Sequence, residues 1–241
     1  MDKIRKILRT PLTTAAVLVL SAVLLLAGSI GTTRAALSYR SEQFVSEVEL
    51  DRIGVALLEN GKPVSGKDAI LKDFLGEDKE LKAGKKYKEE LSVENTGTID
   101  AFVRVTVYTY WEDGKGNKRT DLDPKMIHLG LVTGKGWTVD TLSTTEERTV
   151  LYYGTALKVG EKSSLFLDSV TIDGKTAHMV DQVKESTEDG YTVITTTYTY
   201  DGAYFHLSAV VDGVQTHSGQ EAVKSAWGRT VTVSGDTLKL G

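Results

Sequence analysis

The chain contains no cysteine. That excludes a disulfide framework, a thiol nucleophile, a Cys-based metal site and a lipid-anchored N-terminus. Proline is scarce, with three residues against 23 glycines, and Val, Thr and Tyr are frequent. This mixture favours strands joined by tight turns. Histidine occurs at positions 128, 178, 206 and 217 only. No two lie three to five residues apart and there is no H-E-x-x-H, so the usual zinc-protease arrangement is missing. There is no G-x-S-x-G elbow, and the glycine pairs sit at turns rather than in a phosphate-binding loop. No excess of basic charge is present either. Of 29 basic and 33 acidic residues, five and one lie before Ala36, which leaves 24 and 32 and a net charge of −8 beyond that point. Such an acidic chain is a poor partner for nucleic acid, whose phosphates need Lys and Arg.

What is present begins with an address. Lys3, Arg5, Lys6 and Arg9 precede an uncharged run from Leu12 to Ile30, followed by Thr33-Arg34-Ala35. This is the plan of a secretory signal peptide, here 1–35, with a signal-peptide helix and cleavage between Ala35 and Ala36. The competing reading is an uncleaved anchor, since the 19 residues of the run can just cross a bilayer core. The product is expected to be secreted, extracellular or cell-surface associated, touching the membrane only through the N-terminal segment before cleavage.

Residues 36–241 form a single expected domain. At this length a core can hold the fold without crosslinks, since about 70% of the unfolded surface becomes buried. Strands are expected within Phe44–Leu58 and over Lys88–Val93, Ile99–Trp111, Met126–Val132, Gly136–Val139, Arg148–Leu157 and Ser163–Ile172. Asn60-Gly61 is a strong turn signal. Asp201-Gly202 predicts a hairpin between Tyr191–Tyr200 and Ala203–Val211, and Gly235-Asp236 a final hairpin. Helical spacing marks Lys67–Leu75 and Ser218–Trp227, the latter with Ser218 as N-cap. Many short strands between turn signals indicate an all-β, jelly-roll-like β-sandwich with one or two short helices.

The longest strand is the most informative. Ala101, Val103, Val105, Val107, Thr109 and Trp111 share one face, and Phe102, Arg104, Thr106, Tyr108 and Tyr110 the other. The first face reads as core. On the second, Arg104 lies among aromatics, as a packed structural arginine or as part of a binding face. Phe44, Phe102, Arg104, Tyr108 and Tyr110 are the candidate assembly or binding residues. Asp121 and Asp123 in RTDLDPK are weak calcium candidates, because the twelve-residue loop with its terminal glutamate is missing. No catalytic residue and no cofactor site stands out.

Four segments, taken in order, resemble one group. LLAGSIGTTRAALSYRSEQF matches a signal and mature start, LKAGKKYKEELSVENTGTIDAFVRV a turn-and-strand segment ending in V-R-V, TVLYYGTALKVGEKSSLFLDSVTI a tyrosine pair with G-E-x-S and L-F, and VVDGVQTHSGQEAVKSAWG a closing strand with an Ala-Trp helix. Together they resemble the TasA/camelysin-like exported proteins of Gram-positive bacteria, over about 36–228. Ala83 stands where the group has proline, and Arg34 is an extra charge near the cut. The resemblance implies a jelly-roll β-sandwich, a dedicated signal peptidase, and a subunit of a biofilm matrix or surface fibre in which 36–50 donates a strand to the next copy. Some members of the group carry a metallopeptidase label, for which this sequence offers no ligand set. The resulting expectation is a non-enzymatic structural subunit whose main partner is itself. The alternative is a monomeric surface adhesin or binding module.

Overall fold

The structure, a computed structural model, describes residues 52–64, 70–71, 73–188 and 191–241. The signal segment, the Ala35–Ala36 cut, Phe44 and the 36–50 donor segment lie outside the described residues. So do residues 67–69 and 72 of the predicted helix over 67–75 and the first part of the Phe44–Leu58 strand region. All described residues belong to the unit Glu49–Gly241.

Two antiparallel sheets are built from strands that alternate between them. The first is ordered β2 (Lys62–Pro63), β1 (Val55–Glu59), β3 (Lys86–Asn95), β9 (Leu167–Ile172), β6 (Ile127–Leu131). The second is ordered β12 (Tyr204–Gln215), β4 (Ala101–Glu112), β8 (Arg148–Tyr153), β7 (Trp137–Val139), with β5 (Lys118–Arg119) pairing the end of β4. The connections β3 to β4, β6 to β7 and β8 to β9 each pass from one sheet to the other. The protein is therefore the expected all-β sandwich-like fold.

Period-two alternation produces this arrangement. Val103, Val105, Val107 and Trp111 of β4 meet Tyr87, Leu91, Val93, Leu167 and Val170 of the opposite sheet in one buried core. Trp137 is the largest fully buried side chain. Its indole N–H donates to the Ser164 carbonyl at 2.8 Å, which satisfies the one polar atom that burial would otherwise strand. Asn60 and Gly61 both have positive φ (50° and 79°), as a two-residue I′ hairpin loop demands.

A second, smaller core lies on the outer face of the β12-β4-β8-β7 sheet. Helix α1 (Gly219–Trp227) and the hairpin β13 (Val231–Ser234) with β14 (Thr237–Leu240) fold over it. They bury Phe102, Val150, Tyr152, Val214, Val223 and Leu238. Gly219 sits directly on Phe102, where an added Cβ would come within 2.6 Å of the ring. The helix can approach this closely only because position 219 has no side chain.

Three expectations differ from the fold. Asp201-Gly202 forms a turn, but the flanking strands do not pair with each other. β11 (Tyr191–Tyr198) pairs with β10 (Val180–Glu188), while β12 pairs with β4 over its full length, from Tyr204 opposite Glu112 to Gln215 opposite Ala101. The reason is burial: Leu207 is buried against the main core and Phe205, Ala209 and Val211 pack on it, whereas β11 offers Thr and Tyr. The described part of 67–75 forms successive i to i+3 turns, with Phe74 N–H bonded to the Leu71 carbonyl and Leu71 at φ 74°. Ser218 precedes α1 in the left-handed region and its side chain makes no capping bond. Strand β10 is not evident from the sequence, because VDQVKESTE has no clean apolar alternation.

Candidate interaction face

The outer face of the second sheet carries the candidate residues and is divided in two. At one end the C-terminal elements cover it. Phe102 is fully buried there, so it belongs to the second core and not to an exposed face. Arg104 lies at the border. Its Nε and Nη2 both donate to Asp212 Oδ2, at 3.1 and 2.6 Å, and Asp212 sits directly opposite it in the β12–β4 register. The guanidinium stacks over the Trp227 ring at 5.1 Å and contacts the Tyr152 hydroxyl, whose pKa is pushed above its ordinary value chiefly by burial. Tyr152 in turn packs edge-on against Trp227 at 5.4 Å. Arg104 thus joins the sheet to α1. Its charge, neutralised by Asp212, is tolerated because the stem is packed and the head is paired.

At the other end the face is open. Tyr108 is exposed and Tyr110 is half-buried. Tyr110 stacks on His206 at 4.3 Å, and His206 Nδ1 lies 3.1 Å from Glu112. Lys118 Nζ sits 5.2 Å from the centre of the Tyr110 ring and pairs with Glu147 at 2.5 Å. Burial, with a hydrogen bond to Glu112, raises the Tyr110 pKa. The structure therefore separates the sequence-derived set: Phe102 and Arg104 hold the C-terminal elements, and Tyr108 and Tyr110 remain on a surface they share with His206 and Tyr204.

This division predicts unequal effects. Arg104→Ala leaves Asp212 unpaired and removes the stem from Trp227, a loss of about 1–2 kcal/mol. Tyr108→Ala, on the open face, is expected to stay within about 0.5 kcal/mol of the parent. Urea unfolding of the two variants, compared at constant m, checks the difference. Equal stability losses would place Tyr108 in the packed part of the sheet.

The calcium candidates are already engaged. Arg119 binds both carboxylate oxygens of Asp121, at 2.8 and 2.6 Å, and holds its pKa low. Asp123 Oδ1 accepts from the Lys125 N–H at 2.9 Å, capping the 3₁₀ turn Pro124–Met126. Among the described residues no three His, Cys, Asp or Glu side chains converge as metal ligands would. His128 pairs with Asp173 at 3.0 Å.

Two sites escaped the sequence reading. Glu89 on β3 is buried and its Oε1 has no hydrogen-bond partner. The Glu59 carboxyl group is its hydrogen-bonding neighbour, and Glu59 Oε1 accepts the Leu71 N–H at 2.5 Å. Alternation could have found Glu89, since it shares parity with the buried Tyr87, Leu91 and Val93. Asp140, buried at the end of β7, accepts from Ser143 Oγ at 2.7 Å and Arg229 Nε at 3.1 Å. No sequence signal links it to a residue 89 positions away.

No protein-family profile, curated protein or solved structure matches the chain.

Proposed function

We propose that this protein is a secreted, non-enzymatic structural subunit of an extracellular matrix or surface fibre, assembling by strand addition. The observation that carries the reading is the hairpin β10–β11. It is a separate two-stranded sheet, no described strand pairs with either of its outer edges, and Val180, Val183, Ile194 and Tyr198 are exposed on it. An open, uncovered edge supplies main-chain donors and acceptors to another chain. The ordered motifs that resemble exported fibre-forming proteins point the same way, and so does the N-terminal address.

The donor in this reading is 36–50. The chain joins the described fold at Arg52, where Arg52 and Gly54 carbonyls accept from the Thr96, Gly97 and Thr98 N–H groups at 2.8–3.1 Å. A segment preceding Arg52 therefore starts from the end of the first sheet. Deleting Ala36–Val45 is expected to abolish fibres while leaving the melting transition of the remaining chain essentially unchanged. Electron microscopy and calorimetry read the two effects. Fibres from the deleted chain would rule out this donor.

The open Tyr108, Tyr110, Tyr204 and His206 surface favours the second reading, a monomeric adhesin. In that case the chain from Ala36 would stay monodisperse, and Tyr108→Ala would weaken ligand binding without changing stability.

A further inference from the structure

The two strands of the exposed hairpin differ in composition. β10 reads VDQVKESTE, with Asp181, Lys184, Glu185 and Glu188, and its pairing is broken by a register shift between Val180 and Gln182. Charges and bulges are the devices by which edge strands avoid other chains. β11 reads YTVITTTY. It has no charge, no proline and no glycine, and residues 192–197 are all β-branched, the composition of a segment suited to pairing with its own kind. Ile194, Thr195, Thr196, Thr197 and Tyr198 are all exposed.

We infer that β11 pairs antiparallel with β11 of a second copy of this chain, joining two hairpins into one four-stranded sheet about a two-fold axis. The inference rests on the structural-subunit reading and names one of its contacts. Charge selects the occupant. An uncharged edge meets its own copy with no like-charge repulsion, and it offers nothing to a partner recognised by charge. The same self-pairing through β10 would bring two acidic strands together. A lone two-stranded hairpin is marginal in water, and four strands are not.

The faces fix the symmetry. Thr196 lies opposite Val183, Ile194 opposite Glu185, and Tyr198 opposite Val180, so Ile194, Thr196 and Tyr198 share one face with Val180, Val183 and Glu185. That stripe continues into the second copy only if the two-fold axis passes through a residue facing itself; a slip of one residue turns it to the other side. Such a contact is isologous and closes as a dimer, and it occupies the β11 edge, whereas addition of the 36–50 segment runs head to tail and uses a different strand edge. The two contacts are separable.

The absence of cysteine makes the test direct. Ile194→Cys, Thr195→Cys and Thr196→Cys are made singly in the full chain, expressed with its own N-terminal segment, and oxidised. Facing residues in an antiparallel pair stand about 4.5–5.5 Å apart, within disulfide range. Disulfide-linked dimer is expected at one position in several-fold excess over its neighbours, and a lysine introduced at a neighbouring position of β11 in that variant is expected to abolish it. Equal yields at all three positions, or none, overturn the β11 contact. Electron microscopy of the same samples keeps the two readings apart. Fibres without position-specific crosslinks leave the subunit reading standing and remove this contact. Position-specific dimers without fibres keep the contact and remove assembly by strand addition.

Discussion

Glu89→Gln is expected to remove most of the pH dependence of stability between about pH 4.5 and 8. Glu89 is 1% exposed, and its carboxyl is pushed up from 4.5 to about 8, first by burial and then by its hydrogen bond to Glu59 and the charge interaction between them. A carboxyl raised in the folded state is neutral there while the unfolded chain ionises. Its full contribution is present below about pH 4.5, declines as pH rises, and is lost once pH passes the folded value near 8. The gap between those two values corresponds to about 3–5 kcal/mol. Glutamine keeps the shape and donates a hydrogen bond at every pH. The variant should therefore match the parent near pH 5 and exceed it by about 3 kcal/mol near pH 9. Guanidinium unfolding at about pH 5, 7 and 9 decides this, and parallel curves for parent and variant would mean Glu89 ionises in the folded protein without penalty.

The location gives the effect a structural target. Glu59 lies opposite Leu91 in the β1–β3 register, at the end of β1 that leads into the Asn60-Gly61 turn. Next to it runs the turn segment containing Leu71 and Phe74. Phe74 is buried against Tyr87 and Phe205, with ring centres 5.0 and 5.4 Å away. Because Glu59 also holds the Leu71 N–H, charging Glu89 loosens the carboxyl group that anchors this segment. Amide exchange at Leu71 and Phe74 in the parent should rise with pH more steeply than in Glu89→Gln, after correction for intrinsic exchange rates.

Asp140→Ala is the second large effect, expected to cost about 3–5 kcal/mol. Asp140 is buried, its side chain 1% exposed, and it faces Arg229, whose side chain is 16% exposed. Arg229 Nη2 also donates to the Gly241 carbonyl at 2.8 Å. The pair therefore ties the last hairpin, β13–β14, to the end of β7. Removing the carboxylate leaves a guanidinium with little water and no counter-charge, and frees the Leu142 N–H and Ser143 hydroxyl that donate to Asp140. The double variant Asp140→Ala/Arg229→Met is expected to recover about half of the loss, since no uncompensated charge remains. Thermal unfolding of the two single variants and the double variant measures the coupling. Additive losses would show that the two side chains act independently.

The fate of individual residues shows where sequence reading succeeds. Period-two alternation in β4 places Val103, Val105, Val107 and Trp111 in the core, and they are there. The final hairpin and the helix over 219–227 are also legible, because turn glycines and helical spacing act over a few residues. The same alternation puts Phe102 on the outer face correctly. It gives no sign that α1 and β13–β14 cover that face, since the covering elements lie more than a hundred residues away.

The all-β class, the main turn positions and the inward face of β4 were determined by the sequence alone, because they depend on local stereochemistry and on the two-residue period of a strand. Tertiary structure decided which strands pair. β12 joins β4 rather than β11 because twelve residues of register with a buried strand outweigh a favourable two-residue turn. It also decided the charges. Arg104 with Asp212, Asp140 with Arg229 and Glu89 with Glu59 are separated by 108, 89 and 30 positions, and whether a charge is solvated, paired or neutralised depends on what the fold brings within a few ångströms of it.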